Sequence, residues 1–308
     1  MITKVSTANH AEWLSLRSQY IGGSDAAAVI GLNPYKSAYA LWAEKTGQVA
    51  PFEGNVATRV GNHLEQLVAT MYSEETGNKV RNDNRTYFND VYPWACANVD
   101  RRILHQRAGL EIKTTNDRSK IKQLLERSIP PDWQCQMTHY MAVTGLERWD
   151  LAALCGSREL ILLSLDRDEQ DINALMTTEQ AFWECVKNRE PPGVDGSEST
   201  ADTLSVMYFD SVPDSQCSLE PVSGHVSALL QLKAEKKALE ERIRMAENAI
   251  KEYMGDKESG TFGNVSVKWK TVSRTTYDTK ALCKAHPDLM EQYQKLSISR
   301  RFTVKEEK

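Results

Sequence analysis

Two acidic residues and a lysine are spaced in a way that could support metal-dependent phosphoryl chemistry. Asp100 is followed, after ten intervening residues, by Glu111-Ile112-Lys113. On a strand, Glu111 and Lys113 share one face, and an aspartate on the adjacent strand can approach them. Carboxylates and a backbone carbonyl are hard oxygen ligands suited to Mg²⁺ or Mn²⁺. We therefore expect a metal that activates water and stabilises a phosphoryl oxygen, with the lysine orienting that water.

Glu65 is a further candidate ligand, because a helix that precedes a sheet can aim one acid into such a site. Each of these residues also has an ordinary structural interpretation. Glu65 could be a solvated helical glutamate, and Glu111 with Lys113 could be an exposed pair on an amphipathic strand.

The elements that would position these residues form an α/β or α+β core. Periodicity, caps and breakers predict helices at 24–30, 37–46, 58–76, 117–128, 132–145 and 168–188. Strands are expected within 80–90, 91–103, 108–114, 148–156 and 158–168. Residues 1–20 are predicted to be a short helix or a loop. A cluster of strands between helices favours a central mixed sheet flanked by helices.

The chain is expected to have three parts: a core at 1–192, a linker or irregular wrap at 193–223, and a C-terminal part at 224–308. A heptad pattern over 224–254 predicts a long, coiled-coil-like helix. Its apolar seam consists of Leu229, Leu232, Leu239, Ile243, Ala246, Ile250 and Tyr253. Its partner could be another helix or the core itself. A hairpin around Gly263-Asn264 and a last helix at 279–295 are expected to follow.

Composition narrows the class of protein. The 308 residues include 41% hydrophobic and 26% charged residues, which is typical of a globular protein. Six cysteines without C-x-x-C spacing argue against a zinc ribbon, an iron–sulfur cluster or a disulfide framework. Without an apolar leader or a long apolar run, the expected location is cytoplasmic.

Charge is divided unevenly along the chain. The formal net charge is -4, which at first argues against a nucleic-acid partner. Residues 224–308 carry 17 Lys plus Arg against 12 Asp plus Glu, a net of +5, whereas residues 1–223 carry 21 against 30, a net of -9. Because some acids would be metal ligands, we expect basic residues to line a local DNA channel that the total does not reveal.

Several blocks of the sequence together resemble the YqaJ-type viral recombinase family. These are IGGSDAAAVIGLNPYKSAYALWAEKTG, the GNHLE helix, the Asp100 and Glu111-Ile112-Lys113 pair, and Gln134-Cys135-Gln136 followed by Tyr140. That family belongs with bacteriophage lambda exonuclease in the PD-(D/E)XK nuclease superfamily, and the resemblance covers about residues 10–190. The chain departs from the superfamily pattern in one respect, since Val99 and not the usual proline precedes Asp100.

The resemblance implies a restriction-endonuclease-like core and a role for each candidate residue. Asp100, Glu111, the Ile112 carbonyl and Glu65 would bind metal, Lys113 would orient water, and Gln136 would lie near the site with Gln134. Arg17 and Ser24 would bind a 5′-terminal phosphate, and Lys36 is a weaker phosphate candidate; a plain helix cap is the alternative for Ser24. We expect structural roles for His63 and His139.

The activity implied by the resemblance is a Mg²⁺-dependent 5′→3′ exonuclease acting by a two-metal mechanism. It would digest one strand of linear duplex DNA and leave a 3′ overhang for a single-strand annealing recombinase partner. Family precedent also implies a trimeric ring. The alternatives are a Cas4- or AddB-like nuclease of different polarity and a non-catalytic DNA-binding scaffold.

Overall fold

The computed structural model describes residues 1–7 and 9–305 of the chain. These residues divide into two compact units, Met1–Tyr208 and Phe209–Lys308. The strands of the first unit are β1 (Ile2–Ser6), β2 (Ile21–Gly22), β3 (Val80–Arg81), β4 (Arg85–Asn89), β5 (Ala95–Ala97), β6 (Arg101–Ile103), β7 (Ala108–Thr115), β8 (Arg148–Cys155) and β9 (Glu159–Asp166). Its helices are α1 (His10–Ser18), α2 (Gly23–Val29), α3 (Ala38–Lys45), α4 (Val56–Thr76), α5 (Arg118–Leu125), α6 (Pro131–Thr144), α7 (Glu169–Asn188) and α8 (Glu198–Met207).

A five-stranded mixed sheet, in the order β3-β6-β7-β8-β9, is the centre of the first unit. β7 and β8 are parallel and the other pairs are antiparallel. On β7, Leu110 and Ile112 pack with Val68 and Tyr72 of α4. Because side chains alternate along a strand, Glu111 and Lys113 face the opposite side, where α6 lies. The expected mixed sheet flanked by helices is therefore confirmed.

A second sheet, in the order β1-β4-β5-β2, places the N-terminal segments beside α6. Its strand β1 was not predicted, since residues 1–20 were expected to be helix or loop. Ile2–Ser6 contains the β-branched residues Ile2, Thr3 and Val5, and β4 supplies an antiparallel partner along its whole length. The predicted strand within 80–90 is also divided, since β3 joins the five-stranded sheet and β4 joins this one.

The buried pair of His139 and Glu179 joins α6, α7 and β5. His139 Nδ1 lies 2.8 Å from Glu179 Oε1, and His139 Nε2 lies 3.0 Å from the carbonyl oxygen of Cys96. Burial by itself lowers the pKa of His139, but attraction to Glu179 raises it above its ordinary value. His139 thus has the structural role that was expected for it.

Helix α8 lies inside the segment that was predicted to be a linker. The boundary between the two compact units, after Tyr208, also falls within that segment. α8 begins after Ser197, whose side chain accepts a hydrogen bond from the Thr200 amide, and it packs against α3. Thr200 and Thr203 form its buried face, with Thr200 donating to Ser37 Oγ at 2.8 Å. Leu204 and Met207 are the apolar residues with which this helix packs on the core, and two such residues are too few to show a helical period.

The second unit contains α9 (Ser223–Met254), the hairpin of β10 (Ser259–Phe262) and β11 (Val265–Lys268), α10 (Thr279–Ala285) and α11 (Pro287–Gln292). The long helix and the hairpin agree with prediction. The expected helix at 279–295 is divided in two because Pro287 has no N–H and restricts the residue before it. Leu232, Leu239 and Ile243 of the predicted seam are exposed. The partner of this seam, another helix or the core, stays a prediction.

No helix within residues 1–7 and 9–305 is long and apolar enough to cross a membrane.

The close approach of Gly109 to Trp149 links the sheet to α6. The two residues are paired across β7 and β8, and a Cβ atom on Gly109 would lie 2.5 Å from the Trp149 ring. The fully buried Trp149 in turn stacks on Tyr140 of α6, with ring centroids 5.0 Å apart. There is consequently no room for a side chain at Gly109.

We predict that Gly109→Ala lowers the free energy of unfolding by about 1–3 kcal/mol, because the added methyl group displaces a packed indole ring. Urea denaturation followed by tryptophan fluorescence measures the change. Gly193→Ala is the matched control, since no atom lies near that position. Equal stability of the two variants would contradict the packing described for Gly109.

Candidate active site

Asp100, which directly precedes β6, is held in place by the main chain of β7. Arg101 pairs with Leu110 across these strands, so Asp100 lies beside Glu111, where the ladder between β6 and β7 ends. The Ile112 amide donates to Asp100 Oδ2 at 2.8 Å. The N–H and C=O of one strand residue point to the same edge, so the Ile112 carbonyl is also directed towards the Asp100 side. The structure thus brings these three predicted residues together.

A chain of hydrogen bonds connects Glu111 with α6. Lys113 Nζ lies 2.6 Å from Glu111 Oε1 and donates to Gln136 Oε1 at 2.9 Å. Gln136 Nε2 donates to the Tyr140 hydroxyl at 2.8 Å. An ammonium group has three N–H donors, and this chain uses two of them. Lys113 is therefore fixed in position but keeps a donor for another ligand.

Burial and like charge both act on the acidic pair. Burial, followed by repulsion from Glu111, raises the pKa of Asp100 well above its ordinary value. Burial also raises the pKa of Glu111, although Lys113 opposes the shift. The pKa of Lys113 is raised because attraction to Glu111 and Asp100 outweighs its own burial. A charge arrangement of this kind favours either a proton or a cation between the two carboxylates.

One oxygen of the acidic pair has no protein partner. Glu111 is 1% exposed, and its Oε2 atom is buried without a hydrogen bond from any described residue. Leaving a buried carboxylate oxygen unpaired costs free energy, which a bound cation would offset. The oxygen-only donor set fits a hard divalent metal.

Glu65 is paired with Arg101, although its charge also helps to raise the pKa of Asp100 and Glu111. Its carboxylate forms an ion pair with Arg101, whose guanidinium also donates to the Asp100 carbonyl oxygen at 2.7 Å. In residues 1–7 and 9–305, no three His, Cys, Asp or Glu side chains converge as a metal cluster. Two carboxylates and the Ile112 carbonyl are the donors that this structure brings together. Arg101 was not anticipated from the sequence, since its contact with Glu65 joins residues 36 positions apart.

Arg17 and Ser24 form a pocket at the start of α2. The guanidinium of Arg17 donates to the Ser24 hydroxyl and lies over the Trp13 ring, 5.3 Å from its centroid. The helix begins at Gly23 and is capped at Gly22, so the cap interpretation of Ser24 is wrong. Ser24 is exposed, and Arg17 is about one-third exposed. The pair is thus open to a ligand from solvent.

A buried ion pair between Lys45 and Asp25 packs against this pocket and stabilises it. Lys45 Nζ lies 2.9 Å from Asp25 Oδ2 and donates to the carbonyl oxygens of Tyr20 and Arg17 at 2.6 and 3.2 Å. Burial by itself raises the pKa of Asp25, but Lys45 and Arg17 lower it far below its ordinary value. Asp25 is therefore ionised and holds both cations. Sequence reasoning missed Lys45, although its position within the AEKTG block was a usable signal.

The pocket and the acidic pair are joined through α6. A Cβ atom on Gly23 would overlap the Tyr140 ring, so α2 lies directly against the residue that bonds Gln136. Lys36 is ion-paired with Glu44 at 2.7 Å, and its charge also helps to lower the pKa of Asp25. Gln134 is half-buried on α6 and takes no part in the described bonds from Lys113 to Tyr140. Phosphate binding by Lys36 and a position near the site for Gln134 therefore stay predictions.

Comparison with known proteins identifies the family. The sequence profile of the YqaJ-like viral recombinase domain matches residues 12–147. Protein YqaJ of Bacillus subtilis (strain 168) is 33% identical over 311 residues, covering 99% of this chain and 97% of that protein. The chain belongs to the YqaJ-like viral recombinase family. Every site residue predicted above lies within the segment that matches this recombinase domain.

Solved structures show which fold this recombinase domain shares. An alkaline exonuclease from Laribacter hongkongensis, LHK-Exo, superposes with a TM-score of 0.51 at 22% sequence identity. The match covers 59% of this chain and 94% of that exonuclease. LHK-Exo in complex with dAMP superposes with a TM-score of 0.52 at 21% identity. The first unit of this YqaJ-like chain accordingly has the exonuclease fold that was expected.

We predict that Asp100→Asn stabilises the protein in a metal chelator, and that the gain in melting temperature increases with pH. The folded-state pKa of Asp100 is above that of the unfolded state, so ionisation destabilises the fold increasingly from about pH 3.9 up to the folded pKa. Asparagine does not carry this cost. Thermal melts between pH 5 and pH 8 test it, with exposed Asp202→Asn as the control. A gain that is independent of pH would refute the charge argument.

Proposed function

We propose that this protein is a Mg²⁺-dependent exonuclease that digests one strand of linear duplex DNA from its 5′ end. The observation that carries the proposal is the set of Asp100, which directly precedes β6, with Glu111 and Lys113 of β7, within a domain of the YqaJ-like viral recombinase family. Glu111 is buried, and Asp100 and Lys113 are half-buried. Two carboxylates that face one another with an unpaired oxygen are suited to a cation and a phosphate, and are costly as a purely structural feature.

The donors fit Mg²⁺ in number and type. Asp100, Glu111 and the Ile112 carbonyl would hold it, and Mg²⁺ commonly takes one or two carboxylates and completes its coordination with water and substrate phosphate. Glu65 would contribute after release from Arg101, which would complete the proposed two-metal site. When bound, the metal would supply charge stabilisation at the scissile phosphate and activation of water.

The chain's own groups would orient the reacting atoms. Lys113 keeps one N–H for the attacking water or a phosphate oxygen, while its bonds to Glu111 and Gln136 prevent the ammonium from turning away. Gln136 acts as a positioning residue, since it bonds Lys113 and is itself held by Tyr140. Without metal, attraction to Glu111 and Asp100 raises the pKa of Lys113, so the protein holds this lysine as an ammonium group before metal binds.

The Arg17 and Ser24 pocket supports the proposed polarity. A guanidinium and a hydroxyl both form charge-assisted hydrogen bonds with the anionic oxygens of a phosphate. Asp25 and Lys45 hold Arg17 in place, so the pocket is preformed. A terminal 5′-phosphate bound there would select the strand to be digested. Lys36 and Gln134 are proposed as further DNA contacts.

The product would be a 3′ overhang suited to a single-strand annealing recombinase. The protein would act as a trimeric ring in the bacterial cytoplasm. The iron–sulfur nucleases of the Cas4 or AddB kind are disfavoured, because all six cysteines are free and lie on separate segments. A non-catalytic scaffold is disfavoured by the buried acidic pair, which DNA binding alone does not require.

We predict that Lys113→Ala lowers the rate of duplex digestion about 100- to 1,000-fold, as loss of one preorganised donor does elsewhere. Binding of duplex DNA should stay within about twofold, because the lysine is one of many contacts. Single-turnover digestion and fluorescence anisotropy measure the two quantities. The exposed Lys187→Ala variant is the control. Digestion at the wild-type rate by Lys113→Ala would show that the site is assigned wrongly.

We predict that a 5′-phosphate accelerates digestion of linear duplex by wild-type protein, and that Arg17→Gln removes most of this preference. The reason is the loss of the guanidinium that would bind the terminal dianion. Matched duplexes with a 5′-phosphate or a 5′-hydroxyl, labelled at either end, report both rate and direction. Arg189→Gln, which alters an exposed arginine at the end of α7, should keep the preference. Release of nucleotides from the 3′ end would overturn the proposed polarity.

A further inference from the structure

A basic cavity lies apart from the acidic pair and from the Arg17 pocket. We use "basic cavity" for the space of about 360 Å³ beside the turn between β6 and β7. Its lining residues are Lys4, Arg81, Asp83, Arg102, Ile103, Leu104, His105, Gln106 and Arg107. Four permanent cations and one histidine thus face a single carboxylate in this lining.

The carboxylate in the lining is already occupied. Arg85, which lies outside the lining, donates to Asp83 from Nε at 2.7 Å and from Nη2 at 3.1 Å, and the Tyr87 hydroxyl also donates to Asp83. Lys4 Nζ is farther away, at 3.8 Å, and lies over the Tyr87 ring. Arg107 is paired outside the lining, since its Nε lies 2.9 Å from Glu147 Oε1. Asp83 therefore offers little compensation to Arg81 and Arg102, the other arginines of the basic cavity.

Arg102 is the residue that most clearly lacks a partner. Its Nε atom is buried, with no hydrogen bond from the described residues, and Nη1 has only a long contact of 3.5 Å with the Tyr87 hydroxyl. Leaving a buried N–H of a charged group unpaired is costly. An oxyanion in the basic cavity would satisfy this donor, and Arg102 would then bind the ligand directly.

The position of Arg102 on the sheet indicates which anion would reach it. Arg102 pairs with Gly109 on β7, and Asp100 lies two residues earlier on the same side of the strand. Two strand residues span roughly 6.6 Å. Residues 101–110 contain three arginines and no carboxylate, although the segment 1–223 is acidic overall. The basic cavity is thus the part of this sheet face where a polyanion could extend from the acidic pair without repulsion.

We propose that the basic cavity binds a backbone phosphate of the DNA and thereby holds the duplex next to Asp100 and Glu111. This inference rests on the nuclease function proposed above. Guanidinium groups from two strands match the oxygens of a phosphodiester better than a single carboxylate, because several N–H donors converge on it. The contact is independent of base sequence, and it is distinct from capture of the terminal phosphate.

The test measures binding of a 20-base-pair fluorescent duplex in a chelator, as a function of salt. We expect the double variant Lys4→Gln/Arg81→Gln, and separately Arg102→Gln, to weaken binding about three- to tenfold. Each lost phosphate contact should reduce the slope of log K against log salt by about 0.9. The double variant changes positions near the surface, so it tests the proposal if Arg102→Gln fails to fold. Lys187→Gln and Arg189→Gln are the matched controls.

Digestion kinetics give a second readout. The variants should raise KM for linear duplex by a similar factor while kcat changes less than twofold, since the basic cavity does not touch the reacting atoms. Unchanged slope, affinity and KM in both variants would refute the proposal. Thermal melts with and without inorganic phosphate separate a second case. If the variants lost only the rise in melting temperature that phosphate gives the wild type, the cavity would be a small-anion site and not a DNA contact. If wild-type protein digested no DNA, the nuclease proposal would fail, but the binding comparison would still decide this one.

Discussion

The burial of two carboxylates against each other is the constraint on which the rest of the first unit depends. Asp100 directly precedes β6 and is half-buried, Glu111 of β7 is fully buried, and loss of water raises the pKa of both. Lys113 and the Ile112 amide compensate part of this cost. The arrangement persists only because α4 and α6 cover the two faces of the sheet and hold its strands in register.

Much of this site was predictable because its members are close in sequence or obey a simple period. Alternation on one strand places Glu111 and Lys113 together, whereas Arg17 and Ser24, which hydrogen-bond to each other, were expected only from the family resemblance. The pairing of Asp100 with this strand needed only a short hairpin. The general fold was predictable for the same reason, since its long helices and strands have strong patterns.

The parts that escaped prediction depend on contacts between distant elements. The role of Glu65 as a metal ligand stays a prediction, and its partner Arg101 becomes evident only when α4 is placed on the sheet. The support of Arg17 by Lys45 requires the packing of α3. Helix α8 buries Thr200, whose hydroxyl group donates to Ser37, 163 residues away in the sequence. The pattern of neighbouring residues in the sequence does not indicate contacts between such distant residues.

The contact between Gly23 and Tyr140 has a consequence for how this family can diverge. Gly23 begins the helix that carries Ser24, and Tyr140 holds the glutamine that bonds Lys113. A larger residue at either position would move both the Arg17 and Ser24 pocket and Lys113. If these groups act as proposed, recognition of a DNA terminus and placement of the reacting groups cannot change separately. Relatives that acquire a new substrate end should change these two positions together.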